Sequence, residues 1–241
     1  MTKFKEMQES YKQMETTRKR ARDIVLEAKT SYREELSQIT NDRMLSNEGK
    51  QIEKEKLNQR YRDIFLGEMM KVKDKATEAA DKTIDLATKI LLEDPAQPEE
   101  TKVATFNQKL ADLKTSLLLA PNPERGIESL KMFVEETTDP YLAKQLQSEF
   151  YEMAASIVKD GSAAEKVKLN EIYEHIKVKS MTEEQKRAET LKGLATAGKN
   201  SDLLLDGGVH HNAIKELLGS ETAMYANKPH EYFDRMIDEN S

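Results

Sequence analysis

Residues 4–39 read FKEMQESYKQMETTRKRARDIVLEAKTSYREELSQI, and this stretch decides the fold. Apolar residues return at steps of three and four. One seam position runs Phe4, Tyr11, Arg18, Val25, Tyr32, Ile39, and the other runs Met7, Met14, Ala21, Ala28, Glu35. A repeat of about 3.5 residues sustained over the whole stretch marks a coiled coil rather than a merely amphipathic surface helix. Arg18 and Glu35 are the two positions that break the rule. No Gly or Pro precedes Gly49, so the pattern predicts one helix over residues 2–45.

Working outward, Ser46-Asn47-Glu48-Gly49 is the first break, because Asn and Gly tolerate left-handed backbone and stop helices. A second apolar pattern follows from Lys50 to Glu93: Ile52, Leu57, Tyr61, Ile64, Phe65, Met69, Val72, Ala76, Ala79, Leu86, Ala87 and Ile90. The two arms are of equal length, each roughly 65 Å as a helix at about 1.5 Å per residue. Equal arms on a short turn predict an antiparallel helical hairpin over residues 1–93, turning at 46–49, with Gly49 in a left-handed position.

Pro95 and Pro98 deny helix continuation and make 94–98 a linker. Beyond it, residues 99–179 read as a four-helix module. The expected helices are 99–120, 124–137, 140–159 and 163–178, separated by Pro121-Asn122-Pro123, Thr138-Asp139-Pro140 and Asp160-Gly161-Ser162. Its expected core holds Phe106, Leu113, Leu130, Phe133, Leu146 and Phe150. Residues 180–241 form a C-terminal set of helices. Thr182 and Gln185 have capping-box spacing for a helix to about residue 196, whose end Gly193, Gly198 and Asn200 weaken. Leu203-Leu204-Leu205 is an apolar plug before a Gly207-Gly208 joint, and helices 211–218 and 221–238 finish the chain. The fold class is all-α.

Composition agrees. Of 241 residues, 34% are charged, and Gly and Pro number only 9 and 6, too few for a sandwich or barrel that turns every few residues. The absence of Cys excludes disulfides, thiolate metal sites and cysteine catalysis. The start carries no apolar signal core, and no apolar run is long enough for a membrane span. The expected location is the cytoplasm of a host bacterium, or a virion, with no membrane partner. The net charge of −6 is uneven: residues 1–45 carry ten Lys/Arg against eight Asp/Glu, and residues 94–241 carry 18 against 26.

Few residues suggest chemistry. His210 and His211 are adjacent and point about 100° apart on a helix, so one ion cannot easily take both; no metal site and no cofactor is expected. Their role is open. Catalysis lacks its parts, with no nucleophile elbow and no phosphate loop, so the protein is not expected to be an enzyme. Arg18, Lys19, Arg20 and Arg22 are the densest basic run and the only candidate for nucleic acid. Helical geometry spreads them around the cylinder and few aromatics accompany them, so they read as a solvated face. The eleven methionines, Met7, Met14, Met69 and Met70 among them, read as core filling.

The Lys/Glu-rich heptads from Phe4 to Ile39, the lack of Cys and Trp, and the separate helical module after Pro98 resemble in style the structural and assembly proteins of bacteriophages of low-GC bacteria, such as capsid scaffolds and minor head or tail proteins. The resemblance implies a rod with a helical docking module and assigns no residue a role. The residues lead to the same expectation: a structural or assembly protein acting by helix–helix association. Its partner is another protein or a second copy through the seam Phe4, Met7, Tyr11, Met14, Ala21, Val25, Ala28, Tyr32 and Ile39; alternatively the opposite arm covers that seam within one chain and the protein is a monomer. The alternative is a regulator or inhibitor docking on a host macromolecule, its acidic C-terminal half facing a basic partner.

Overall fold

A computed structural model describes residues 2–158 and 162–239. Among these the chain forms ten helices and no strand: α1 (Lys3–Asn41), α2 (Asn47–Leu91), α3 (Glu100–Leu118), α4 (Pro123–Glu136), α5 (Pro140–Val158), α6 (Ala163–Lys179), α7 (Glu183–Asn200), α8 (Val209–Leu218), α9 (Ser220–Tyr225) and α10 (Pro229–Glu239). Two compact units share them, residues 1–86 with 191–241, and residues 87–190. The boundaries fall inside α2 and α7. These units divide the chain differently from the sequence segments 1–93, 94–98, 99–179 and 180–241, because most of the C-terminal helices join the hairpin.

In the first unit α1 and α2 form an antiparallel hairpin. Thr2 caps α1, its hydroxyl accepting the Lys5 N–H at 3.3 Å. The two helices meet along their length: the rings of Tyr32 and Tyr61 pack edge to face at 5.4 Å near the turn, and Met14 shares a cluster with Ala76, Ala79 and Ala80 farther from it. Those alanines remove side-chain bulk at the place where the helices approach. The remaining seam is covered by the C-terminal helices. Ala21, Val25 and Tyr32 of α1 and Leu57, Phe65 and Met69 of α2 share one core with Leu204, Ile214, Leu218 and Tyr232.

The turn itself lies earlier than the pattern predicts. α1 ends at Asn41, and Asp42 turns its carboxylate onto the Met44 N–H at 2.7 Å, a local bond that competes with helix continuation. The connection is 42–46, not 46–49. Ser46 caps α2 by accepting the Gly49 N–H at 3.1 Å, so Gly49 is inside the first helical turn and its φ is not positive. A methyl at Gly49 would meet Ser46 Oγ at 3.4 Å, ordinary contact. Gly49→Ala is therefore expected to raise stability by about 0.5–1 kcal/mol in urea denaturation, as in a helix interior, rather than to strain the turn.

Two further boundaries differ. α7 runs through Gly193 and Gly198 to Asn200. The expected helix 221–238 is two helices, broken at 226–228 before Pro229, which cannot supply an N–H to a continuing helix. At the break, Asn227 bridges a backbone 23 residues away: its side chain accepts the Leu204 N–H at 2.9 Å and donates to the Leu204 carbonyl at 2.8 Å. Gly219, at φ 93°, supplies the left-handed residue that separates α8 from α9.

In the second unit α3 to α6 pack as a four-helix bundle around Phe106, Leu110, Leu113, Leu117, Leu130, Leu146, Met153 and Ile172. Its caps follow the sequence. The Asn122 side chain accepts the Arg125 N–H at 3.0 Å, with Pro123 first in α4. Asp139 accepts the Tyr141 N–H at 2.9 Å, with Pro140 first in α5. Asp160 and Gly161, expected to break the next pair, lie outside the described residues. Thr182 and Gln185 form the expected capping box, at 2.9 and 3.2 Å. Gln185 does more: its amide donates to the carbonyls of Ile90 and Glu93, at 3.3 and 2.8 Å, closing the end of α2. Phe133 and Phe150, expected in the core, are only partly buried. Phe133 packs on Phe106 at 5.5 Å and borders an open cleft, and Phe150 packs on Tyr173 at 5.1 Å.

Candidate functional site

The seam predicted as an interface is largely committed inside the chain. Met7, Met14, Ala21, Val25 and Tyr32 are buried, and Phe4, Tyr11, Ala28 and Ile39 are partly buried. The seam is thus covered mainly within the chain, the second of the two arrangements that the sequence leaves open. The physical reason is that α2, the end of α7 and the C-terminal helices together supply enough apolar surface to cover it.

The two polar seam positions set register within the chain. Arg18 reaches the end of α7, donating to the Gly198 carbonyl, to the Asp202 carbonyl at 2.6 Å and to the Ser201 hydroxyl at 2.8 Å. A helix leaves its last carbonyls unpaired, and a guanidinium fork suits several of them at once. The guanidinium thereby pairs one carbonyl of the last turn of α7 and two groups just beyond its end. Burial pushes the Arg18 pKa down, and the nearby Asp202 carboxylate pushes it back up.

Glu35 spans the hairpin to α2. It pairs with Arg60 and accepts the Tyr61 hydroxyl at 2.6 Å. Burial first, and the Glu35 bond second, push the Tyr61 phenol up to about 12. The Tyr61 bond, ahead of Arg60, holds the Glu35 carboxyl below its usual range. The raised phenol stabilises the fold while it stays protonated, so that contribution is intact below about pH 10 and is lost between about pH 10 and 12. Glu35 acts in the opposite sense, losing its contribution as pH falls through the carboxylate range. Tyr61→Phe is expected to cost about 1 kcal/mol at neutral pH and to flatten the alkaline loss, measured by urea denaturation across pH. Equal alkaline slopes in both proteins would contradict this.

The rest of the basic run disperses. Arg20 holds Glu27 with two bonds, at 2.6 and 2.8 Å. Lys19 and Arg22 make no ion pair or hydrogen bond among the described residues. The run therefore presents two free cations, not four, and phosphate binding scales with the number neutralised. The histidines each meet one carboxylate or none. His211, its side chain 13% exposed, has Nε2 3.4 Å from Asp206, and His230 Nε2 is 2.7 Å from Asp74 Oδ1. His210 is half-buried. No group of three metal-type ligands occurs among the described residues, and none of their helices is long and apolar enough to cross a membrane.

Between α1 and α2 opens a groove of about 580 Å³ that the heptad pattern does not predict. Ile24 and Phe65 are buried in its floor, Ala28 lies beside them, and Ile64 stands on its wall at 55% exposure. Two ion pairs, Arg20 with Glu27 and Arg60 with Glu35, stand on its rims. The sequence signal is Ile64-Phe65-Leu66: three successive apolar residues span about 200° of the helix, wider than one contact stripe, and Phe65 and Leu66 are buried while Ile64 is left exposed.

Fold and groove define an all-helical protein built on a coiled-coil hairpin. No family model, no curated protein and no solved structure matches the chain.

Proposed function

We propose that the protein is a non-enzymatic structural or assembly element that works by helix–helix association, with the groove over Ile24, Ala28, Ile64 and Phe65 as its contact surface. The groove is the observation that carries this reading. Two helices of roughly 58 and 68 Å leave a channel between them with an apolar floor. The rim charges are already paired in place, so a docking helix meets no uncompensated charge. An exposed isoleucine beside a small-residue notch suits a second copy, whose Ile64 enters near Ala28 while the first copy's Ile64 does the same in return. Such a role is the one that the resemblance to phage head and tail assembly proteins implies, and it places the protein in a host cytoplasm or a virion.

The test is mass by light scattering over a concentration series, for wild type and Ile64→Asp. The wild type is expected to rise above the 27.6 kDa of one chain, and the variant to stay at it with an unchanged melting temperature. A wild type that remains a monomer at the highest concentration, or a variant that associates as well, would overturn the proposal. Ile64 suits this experiment because it is exposed. Val25 and the other buried seam residues do not, since charging them would unfold the hairpin.

A further inference from the structure

We propose that a second cleft in the hairpin unit binds an acidic, leucine-bearing peptide segment of a partner protein. The cleft lies between α1 and the chain around the end of α7 and encloses about 620 Å³, within the usual range for ligand sites. Met14 and Leu203 are buried in its floor. Leu194 and Leu205 form its walls at 48% and 80% exposure. Lys19 and Arg22 stand on its rim.

Three observations select the occupant. First, Lys19 and Arg22 are three residues apart on α1, so they share a face, and neither has an intramolecular partner among the described residues. They attract an anionic segment. Second, the lining carries three cations, Arg18, Lys19 and Arg22, against two carboxylates, Glu15 and Asp202, so its balance is positive. The Asp202 carboxylate lies near the Arg18 guanidinium, which leaves Lys19 and Arg22 facing Glu15 alone. Third, the two exposed leucines offer apolar contact area that a sugar–phosphate backbone does not match. A nucleic acid would use the two cations and leave the leucines in water, and two phosphate contacts give little affinity. A segment with glutamates flanking leucines satisfies both sets together. This surface is separate from the groove at Ile64, so the two proposals stand or fall independently.

The probe is a short fluorescein-labelled peptide of glutamates and leucines, followed by anisotropy with the full chain. Two controls are a peptide of equal charge with Ala at every Leu, and a labelled DNA duplex. The Glu/Leu peptide is expected to bind, to weaken as salt is raised, and to outbind both controls by about tenfold, which corresponds to about 1.4 kcal/mol. Lys19→Glu with Arg22→Glu, and separately Leu205→Asp, should each weaken it by about tenfold or more. All are surface changes, so the melting temperature serves as the folding control. No binding of the Glu/Leu peptide, binding that neither variant alters, or duplex binding as tight as peptide binding would each overturn the proposal. The last result would return the basic run to nucleic acid.

Discussion

Replacing Tyr232 by Ala is expected to lower the stability of the hairpin unit by about 3–5 kcal/mol, the usual cost of removing a buried aromatic side chain. Tyr232 is 1% exposed and sits at the centre of the C-terminal helices' attachment. Its ring packs against Tyr225 at 5.6 Å and Phe233 at 5.2 Å, and its hydroxyl donates to Asp63 of α2 at 2.8 Å. Around it, Glu221 receives Arg62 at 3.2 Å and Arg235 at 2.6 Å, and His230 meets Asp74 at 2.7 Å. Those peripheral pairs are partly exposed and contribute little each, so the ring carries the attachment. Hydrogen exchange should report the loss first in α8 to α10. Tyr232→Phe, which keeps the ring and removes one of the bonds to Asp63 while Gln59 still donates to that carboxylate at 3.1 Å, should cost only about 1 kcal/mol. Equal costs for the two variants would show that the hydroxyl, not the ring, holds the segment.

Leu130→Ala should have a comparable effect in the other unit. Leu130 is fully buried in α4, in a core shared with Leu117, Leu146 and Ile172. A Leu removed from such a site costs about 2–5 kcal/mol through lost transfer energy and the cavity left behind. Phe133, three residues along the same helix, makes the informative comparison. It borders the open cleft and is only partly buried, so Phe133→Ala should fall below the range for a buried aromatic. Urea denaturation of both variants decides the order. A larger cost at Phe133 would mean that the cleft is closed in solution.

The hairpin was legible because a heptad repeat is a local signal: positions seven apart must share a face whatever covers them. What covers them is not local. The partner of Arg18 lies 180 positions away at Gly198, so its place on an apolar seam reads as a defect until the end of α7 is beside it. Glu35 reads the same way until Arg60 and Tyr61 face it. The turn falls earlier than periodicity predicts because the Asp42 carboxylate takes the Met44 N–H, a local bond that no apolar repeat signals. The split between α9 and α10 had a visible signal in Pro229, whereas the Asn227 bridge to Leu204 had none. The groove was the hardest to see. Ile64 fits the apolar pattern as well as Phe65 does, and periodicity ranks neither as the one left in water.

The discontinuity of the hairpin unit also has a consequence for synthesis on the ribosome. The bond between Asp63 and Tyr232 joins positions 169 apart. At about 5–20 residues per second, roughly 8–34 s pass between the emergence of one partner and the other. Throughout that interval the nascent hairpin shows the face at Leu66 and Met69 that α8 to α10 later cover. The newborn chain is therefore adhesive for seconds on a surface that the finished protein hides. Holdase chaperones, or a neighbouring chain on the same message, meet that surface before its own carboxyl-terminal helices do.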